Sequence, residues 1–487
     1  MSSKSAGVAG CRIGNSKYGR EELRLEIVEP ATGDLLGTVF GGGGREATNG
    51  VTASSEALGE WGQVGNAGRA LVLRSIAAAL RETATLSELA LLVSRETGKL
   101  LVEARAEVLF AAAFFDWFAD CAATDHGEYW QMQGRQVVVD WRPVGVVGIV
   151  TPWNFPVSIP ARKIAAVLAA GCTAVLKPSE MAPLSALLFA DIVGSRLPPS
   201  VLNTVVGDPE AIVHVLTTDM RVRAISFTGS TPVGLVVAQK CAPQLKRLVL
   251  ELGGRSPFIV CEGADLEETV SVLVTAKYRN NGESCIAANN VFVPSTVYEE
   301  FLRLYTQATA GLEIGDPQVP RVRLGPMVSK AHGDRIRSLV ERARSDGEVI
   351  WSGPNQGMGP AFVAPAIVQP RASSEMWGEE VFGPITMVRS YTSIDAVITE
   401  VNSWDYGLAG YVCGPSAYAS AVGHRLELGI IGVNVGAPVV PEAPFGGLKM
   451  SGMGREGSVI GLREFQEPRT IGTLTRADYT KRMEVGA

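Results

Sequence analysis

Between residues 144 and 252 the sequence repeats one unit, a short apolar run followed by a helix-length segment. The runs are "VGVVGIV" (144–150), "CTAVLK" (172–177), "VLNTVV" (201–206), "VRAISF" (222–227) and "LKRLVLEL" (245–252). The segments 158–171, 183–196 and 231–241 read as helices; the first has Ser158 near its start and Gly171 just past its end, where such residues open and close helices. Apolar strands that alternate with helices predict an α/β fold with a parallel, doubly wound sheet, because parallel neighbours need crossover helices that cover both faces. A second α/β segment is predicted over 253–450. Its strands are "SPFIVCE", "ANNVFVP", "EVIWSG", "ITMVRSY" and "IIGVNVG", with helices near 265–279, 295–310, 328–346 and 415–428. Ahead of the repeat, 49–120 reads as helical and "EYWQMQGRQVVVDWRPVG" (128–145) as a hairpin centred on Gly134.

The unusual residues of the repeat share one position. Asn154, Lys177, Gly207, Gly229 and Glu251 each fall at or just past the C-terminal end of a predicted strand. Open α/β sheets bind ligands at that edge. The tetraglycine 41–44 lacks the strand–loop–helix setting of a phosphate loop and reads as a flexible turn. The first twenty residues read as a loose polar leader.

Composition closes off other classes. The 487 residues are 46% hydrophobic and 19% charged, and the net charge is −6, so neither a nucleic-acid partner nor a polybasic membrane surface is expected. No apolar run reaches the ~18–20 residues that span a bilayer, and no secretory signal is read. The seven cysteines are widely spaced without a CxxC, and the four histidines form no paired ligand spacing. A disulfide framework and a metal site are therefore not expected, and reduced thiols in the cytoplasm fit the pattern.

Several residues have chemical readings beside ordinary ones. Cys285 sits in "NNGESCIAANN" (280–290); it is either a small residue filling a turn or a nucleophile in a polar loop whose backbone N–H groups stabilise charge. Glu251 in "LELGG" ends an apolar strand, as a buried general base or as a cap on a neighbouring helix. Asn154 in "TPWNFP" is held between two prolines, as an oxyanion donor or as a turn residue. Lys177 and Glu180 in "LKPSE" flank a proline, and Gly229-Ser230 open a helix whose amides suit a pyrophosphate. A carboxylate at Glu180 suits ribose hydroxyls and repels a 2′-phosphate.

Taken together, "PWNFP", "LKPSE", "FTGS", "LELGG", "GESC", "EEVFGP" and "PFGG" resemble, in order and spacing, the aldehyde dehydrogenases, from "VEPATGDLLG" (28–37) to "FQEP" (465–468). The resemblance implies a Rossmann-type NAD domain (1–121 and 142–252), an α/β catalytic domain (253–450) and a small β oligomerisation arm (122–141 and 463–487). It implies that Cys285 is the nucleophile, that Asn154 and the Cys285 N–H hold the oxyanion, and that Glu251 activates the hydrolytic water. It assigns Lys177 and Glu180 to the adenosine ribose, Gly229 and Ser230 to the pyrophosphate, and Glu380 and Phe382 to the nicotinamide-side ribose. Thr151, Trp153, Ser179, Gly207, Val233 and Leu252 complete the expected lining for NAD, which is favoured over NADP. A homodimer or homotetramer is expected.

Within the family, "AKYRNNGESC" and "NVGAPVVPEAPFGGLKMSGMGREGS" look most like succinate-semialdehyde dehydrogenases. Arg162 and Arg279 match the two arginines that bind the distal carboxylate in that group, and guanidinium groups suit planar anions. The expected partner is thus a short anionic aldehyde, succinate semialdehyde first, with glutarate semialdehyde, a sulfonated aldehyde or a neutral or aromatic one as alternatives. Val439 replaces a serine that donates to the carboxylate, Ala287 a second cysteine, Glu283 a glutamine and Arg255 an asparagine. Three other activities compete. Acyl transfer to coenzyme A is opposed by the presence of Glu251. A cysteine hydrolase needs a histidine beside Cys285, and none is indicated. A silent NAD-binding structural protein is opposed by the intact Cys285, Glu251, Asn154 and Lys177.

Overall fold

The β-branched runs form the strands Val146–Val150, Thr173–Lys177, Leu202–Val205, Val222–Thr228 and Arg247–Glu251 of a computed structural model. It describes residues 7–132, 135–346, 348–354, 359–371 and 374–474. Every residue of the first three strands is buried, as expected for a sheet covered on both faces. The five strands pair in parallel, with Val146–Val150 in the middle. Thr173–Lys177 and Leu202–Val205 lie on one side of it, Val222–Thr228 and Arg247–Glu251 on the other. The winding reverses between Val146–Val150 and Val222–Thr228, which makes this a topological switch point. The register pairs Val150 with Lys177 and Thr228 with Glu251. Thr151, Lys177, Gly229 and Glu251 therefore emerge along one edge.

Helices Gly44–Gln63, Asn66–Arg81, Thr83–Thr97 and Leu101–Thr124 precede the sheet. The last is buried along much of its length through Phe114, Phe115 and Phe118. One helix of this layer, Pro209–Thr218, is absent from the sequence reading. Its signal is Asp208-Pro209: Asp208 accepts the Glu210 and Ala211 N–H groups, both at 3.1 Å, and Pro209 fills the first turn.

The second sheet has seven strands in the order Val349–Ser352, Ala366–Val368, Ile385–Tyr391, Asn290–Pro294, Pro257–Val260, Ala409–Cys413 and Ile430–Val433. All neighbours are parallel except the first pair. Ala366–Val368, Ala409–Cys413 and helix Ile394–Ser403 are further elements the sequence reading lacks. A third sheet pairs Glu128–Met132, Arg135–Pro143 and Gln466–Leu474 antiparallel. It carries the exposed side chains of Tyr129, Trp130 and Met132. The hairpin centre at Gly134 and the tail 475–487 lie outside the described residues.

Two expectations are corrected. Residues 7–18 are not a loose leader: Cys11–Ile13 pairs antiparallel with Leu202–Val205, and Cys11 is fully buried. The tetraglycine is not a flexible turn either. Gly42 bridges to Gly207, donates its N–H to the Val206 carbonyl at 2.7 Å and accepts the Asp208 N–H at 3.0 Å. A side chain on Gly207 (φ +146°) would meet the Gly42 oxygen at 2.0 Å, so both glycines serve close backbone approach.

Gly207→Ala should lower the unfolding midpoint in denaturant. The expected loss is about 2–4 kcal/mol, since it combines an unfavourable backbone angle with a backbone clash. An unchanged midpoint would show that this junction yields easily.

Candidate active site

The floor of the site rests on a buried ion pair between Lys99 and Glu107, both almost wholly enclosed. Lys99 Nζ also donates to the Asn154 carbonyl at 2.9 Å. Glu107 Oε1 accepts the Val157 and Ser158 N–H groups, both at 3.0 Å. The pair thereby fixes the Pro152–Pro156 loop and caps helix Ser158–Ala169, which carries Arg162 and Lys163.

The cysteine loop is locked by its asparagines. Helix Leu266–Tyr278 ends at Arg279, and Asn280 (φ 55°), Asn281 (φ 58°) and Gly282 (φ 79°) follow in left-handed conformations. Asparagine tolerates this region better than other side chains. Asn280 Nδ2 donates to the carbonyls of Asn154 (3.0 Å) and Glu283 (2.8 Å). Asn281 Nδ2 donates to the carbonyls of Gly98 and Pro326, both at 3.0 Å, and its Oδ1 accepts the Gly325 N–H at 2.8 Å. Asn154 Nδ2 in turn donates to the Glu283 carbonyl at 3.1 Å, which leaves its second N–H available. Cys285 follows, partly exposed, while the other six cysteines are buried. Burial pushes its thiol up to about 12, and the nearby Arg162 cation opposes that rise. The resting thiol is therefore protonated.

Glu251 is 2% exposed, and neither carboxyl oxygen has a hydrogen-bond partner among the described residues. A side chain at Gly446 would meet its Oε1 at 2.7 Å. Desolvation first, and the nearby Glu456 second, raise its carboxyl well above the usual range. Glu456 is also buried, but it ion-pairs with Lys163 and with Arg162, whose Nε lies 2.5 Å from Glu456 Oε2. These cations outweigh its desolvation and hold it below the usual range. The two carboxyls are thus shifted in opposite directions, Glu251 upward by desolvation and Glu456 downward by its cations. Arg162 also stacks on Phe445, 4.0 Å from the ring centroid.

Arg162, Arg279, Cys285, Val439 and Phe445 line one cavity of about 950 Å³. Arg279 has no ion-pair partner among the described residues, and its guanidinium lies 5.6 Å from the Phe155 ring centroid. No histidine contacts Cys285 among the described residues. Sequence reasoning missed Lys99, Glu107, Lys163 and Glu456, since buried charges act through partners distant in the chain; the arginine and glutamate of "GREGS" were the available signal for Glu456. Arg255 stacks on Trp404 at 4.3 Å.

Of the residues expected to meet a dinucleotide, Thr151, Lys177 and Gly229 lie on the sheet edge and Glu380 and Phe382 just before strand Ile385–Tyr391 of the second sheet, all outside that cavity's lining. Lys177 Nζ contacts Glu180 Oε2 at 2.6 Å, and the Lys177 carbonyl accepts the Thr151 N–H at 3.1 Å. Ser179 Oγ accepts the Met181 N–H at 3.2 Å. Helix Thr231–Cys241 starts at Ser230, whose side chain makes no capping bond. Its first-turn amides thus keep the partial positive charge that binds phosphate. Val233 is exposed there, and Leu252 is buried beneath, its N–H donating to the Ser451 carbonyl at 3.0 Å. Glu380 accepts the Gly254 N–H at 3.3 Å, and burial pushes its carboxyl up to about 7. Phe382 meets Trp153 edge-on, with ring centroids 5.6 Å apart. An uncapped helix end, a lysine–carboxylate pair and an aromatic corner are a donor set that fits a dinucleotide.

The aldehyde dehydrogenase family model matches residues 18–471. The succinate-semialdehyde dehydrogenase [NADP(+)] of Escherichia coli is 36% identical over 449 residues, covering 91% of this chain and 93% of that protein. The glutarate-semialdehyde dehydrogenase of Pseudomonas putida is 35% identical, covering 91% and 93%. The crystal structure of succinate-semialdehyde dehydrogenase from Burkholderia pseudomallei superposes with a TM-score of 0.93 at 34% identity, covering 98% of this chain and all of that one. The chain belongs to the aldehyde dehydrogenase family. It is an aldehyde dehydrogenase of the succinate-semialdehyde dehydrogenase-like group, with the NAD(P) cofactor typical of the family.

Glu283 now has a physical setting. Its side chain is 1% exposed, and Oε1 accepts the Val328 N–H at 3.0 Å. His332 Nε2 lies 3.6 Å from that oxygen and bonds the Phe382 carbonyl at 2.7 Å. Burial raises the Glu283 carboxyl well above its usual range, which favours its uncharged form in this place. A carboxyl raised on folding stabilises below its unfolded value and loses that contribution as pH rises through the folded one. The thermal midpoint of Glu283→Gln should match that of the parent near pH 5 and exceed it increasingly towards pH 9. A constant difference across that range would mean that Glu283 does not titrate in the folded protein.

Proposed function

We propose that the protein oxidises an anionic aldehyde to its acid with NAD, succinate semialdehyde being the simplest probe of that class. The observation that carries this reading is Arg279, a guanidinium without a carboxylate partner among the described residues, which shares a cavity with Cys285 and Arg162. An unpaired cation in a partly enclosed cavity favours an anionic ligand.

The chemistry follows from the site. The Cys285 thiol gives its proton to solvent water, and its sulfur forms a bond to the aldehyde carbon. The carbonyl oxygen becomes an oxyanion, held by the free N–H of Asn154 Nδ2 and by the Cys285 backbone N–H. The bound cofactor supplies a hydride acceptor. Loss of hydride from the carbon leaves an acyl thioester on Cys285. Glu251, once ionised, takes a proton from water; the resulting hydroxide attacks the thioester, the carbon–sulfur bond breaks, and acid and thiol are released. The desolvation that raises Glu251 brings a carboxylate towards the basicity such a step needs.

Glu180 supports NAD over NADP. Its carboxylate, paired with Lys177 at 2.6 Å, suits ribose hydroxyls and repels a 2′-phosphate. The exposed sheet of Glu128–Met132, Arg135–Pro143 and Gln466–Leu474 supports assembly into a dimer or tetramer, since its apolar side chains need cover.

Glu251→Gln should give one equivalent of NADH per site and then stall, with the acyl group retained on Cys285 by mass spectrometry; Cys285→Ala should give no NADH. Steady turnover by Glu251→Gln would assign the base elsewhere. Arg279→Ala should raise KM for succinate semialdehyde at least ~30-fold, about 2 kcal/mol, and leave butanal within about twofold. Equal losses on both would give Arg279 a structural role. Glu180→Ser should raise kcat/KM with NADP relative to NAD; an unmoved ratio would remove the charge argument.

A further inference from the structure

The cavity beside Cys285 is larger than a short semialdehyde requires. Its ~950 Å³ lies wholly on the substrate side, since neither Trp153, Lys177, Glu180 nor Glu380 lines it. The cofactor therefore does not account for the space. At roughly 30 Å³ per water it holds about thirty waters, of which a four-carbon semialdehyde displaces only about five.

The lining changes character from its buried to its exposed residues. Arg162 is buried on the floor, and Phe110 and Val439 stand in the partly buried wall. Val439 offers no hydrogen bond where a serine would, so this wall is fitted for apolar contact. Arg105 and Arg323 are exposed in the lining, and they come from two different parts of the chain: one on helix Leu101–Thr124, the other in the segment 311–329. Arg105 donates only to Ser87 Oγ at 3.2 Å. Arg323 Nη1 donates only to the carbonyls of Pro320 (2.8 Å) and Val322 (3.1 Å). Neither has an ion-pair partner among the described residues.

The charge balance points the same way. Two of the five cationic side chains that line the cavity are neutralised, Lys99 by Glu107 and Arg162 by Glu456, which leaves Arg105, Arg279 and Arg323 against one remaining lining carboxyl, Glu103, in a chain of net charge −6. Glu103 accepts the Asn280 N–H at 3.1 Å. Glu103 also acts on Arg279, but from beyond ion-pairing distance. A cleft of one charge sign with low-dielectric walls concentrates ligands of the other sign.

We propose that the preferred substrate is an aldehyde with an apolar body of benzenoid size bearing a carboxylate or sulfonate, larger than a four-carbon semialdehyde. Its body packs on the wall at Phe110 and Val439, and the exposed arginines Arg105 and Arg323 draw in its acid group. This rests on the reading of Cys285 as the oxidising nucleophile and of the cavity as an anion site.

The test is kcat/KM for purified protein with NAD and four aldehydes: 4-formylbenzoate, 4-formylbenzenesulfonate, neutral 4-methylbenzaldehyde and succinate semialdehyde. One of the two aromatic acids should exceed succinate semialdehyde at least tenfold, and the better one identifies the acid group. In Arg105→Ala/Arg323→Ala that ratio should fall at least tenfold. Succinate semialdehyde preferred over both aromatic acids would overturn this proposal and leave the anion pocket intact. Turnover of 4-methylbenzaldehyde equal to the aromatic acids would overturn both the charge argument and the anion pocket. A ratio unchanged in the double variant would remove these exposed arginines from recognition and overturn the proposal as stated.

Discussion

The Lys99–Glu107 pair is the joint on which the site depends. Two opposite charges buried together are weak evidence for net stability, because desolvation offsets much of their attraction. Their use here is placement. Lys99 reaches the Asn154 carbonyl and Glu107 caps the helix of Arg162 and Lys163. One contact thus fixes the loop of Asn154 and the start of the helix that carries Arg162. Asn280 extends the joint to the cysteine loop by donating to the same Asn154 carbonyl. Three segments distant in sequence, around residues 99–107, 154–163 and 280–285, are held as one rigid unit, and rigid support is what a reactive geometry needs.

A second set of buried charges divides its protons by neighbourhood. Glu251 and Glu456 are both enclosed, yet only Glu456 has cations in contact. Its carboxyl is held below the usual range, while desolvation raises that of Glu251 towards the basicity a general base needs. Arg162 joins the two functions. Its Nε side faces Glu456 and its ring-stacked face meets Phe445, at the edge of the substrate cavity.

How much of this was legible in the sequence follows from the range of each interaction. The five parallel strands were visible because β-branched runs and helix punctuation are local signals. The same regularity places Lys177, Gly229 and Glu251 on one edge from the sequence alone. Short strands such as Ala366–Val368 and Ala409–Cys413 were not visible, since a few buried residues carry no period and depend on neighbours for their pairing. The tetraglycine was misread because its purpose is contact with Gly207, more than 150 residues away. Lys99, Glu107 and Glu456 escaped for a related reason: a buried ion pair leaves only two ordinary charged letters in the sequence. Arg162 was found through resemblance, but its bond to Glu456 required the fold.

The protonated state of Cys285 has a consequence in oxidative chemistry. Peroxides attack the thiolate rather than the thiol, so reactivity follows the ionised fraction. A cysteine whose thiol is pushed up to about 12 by burial is a poor target while it waits for substrate. Ala287 offers no neighbouring sulfur, and the other six cysteines are enclosed. A sulfenic acid formed on Cys285 would thus lack an adjacent resolving thiol and would depend on small external thiols, entering through the same cavity as the aldehyde, for its return.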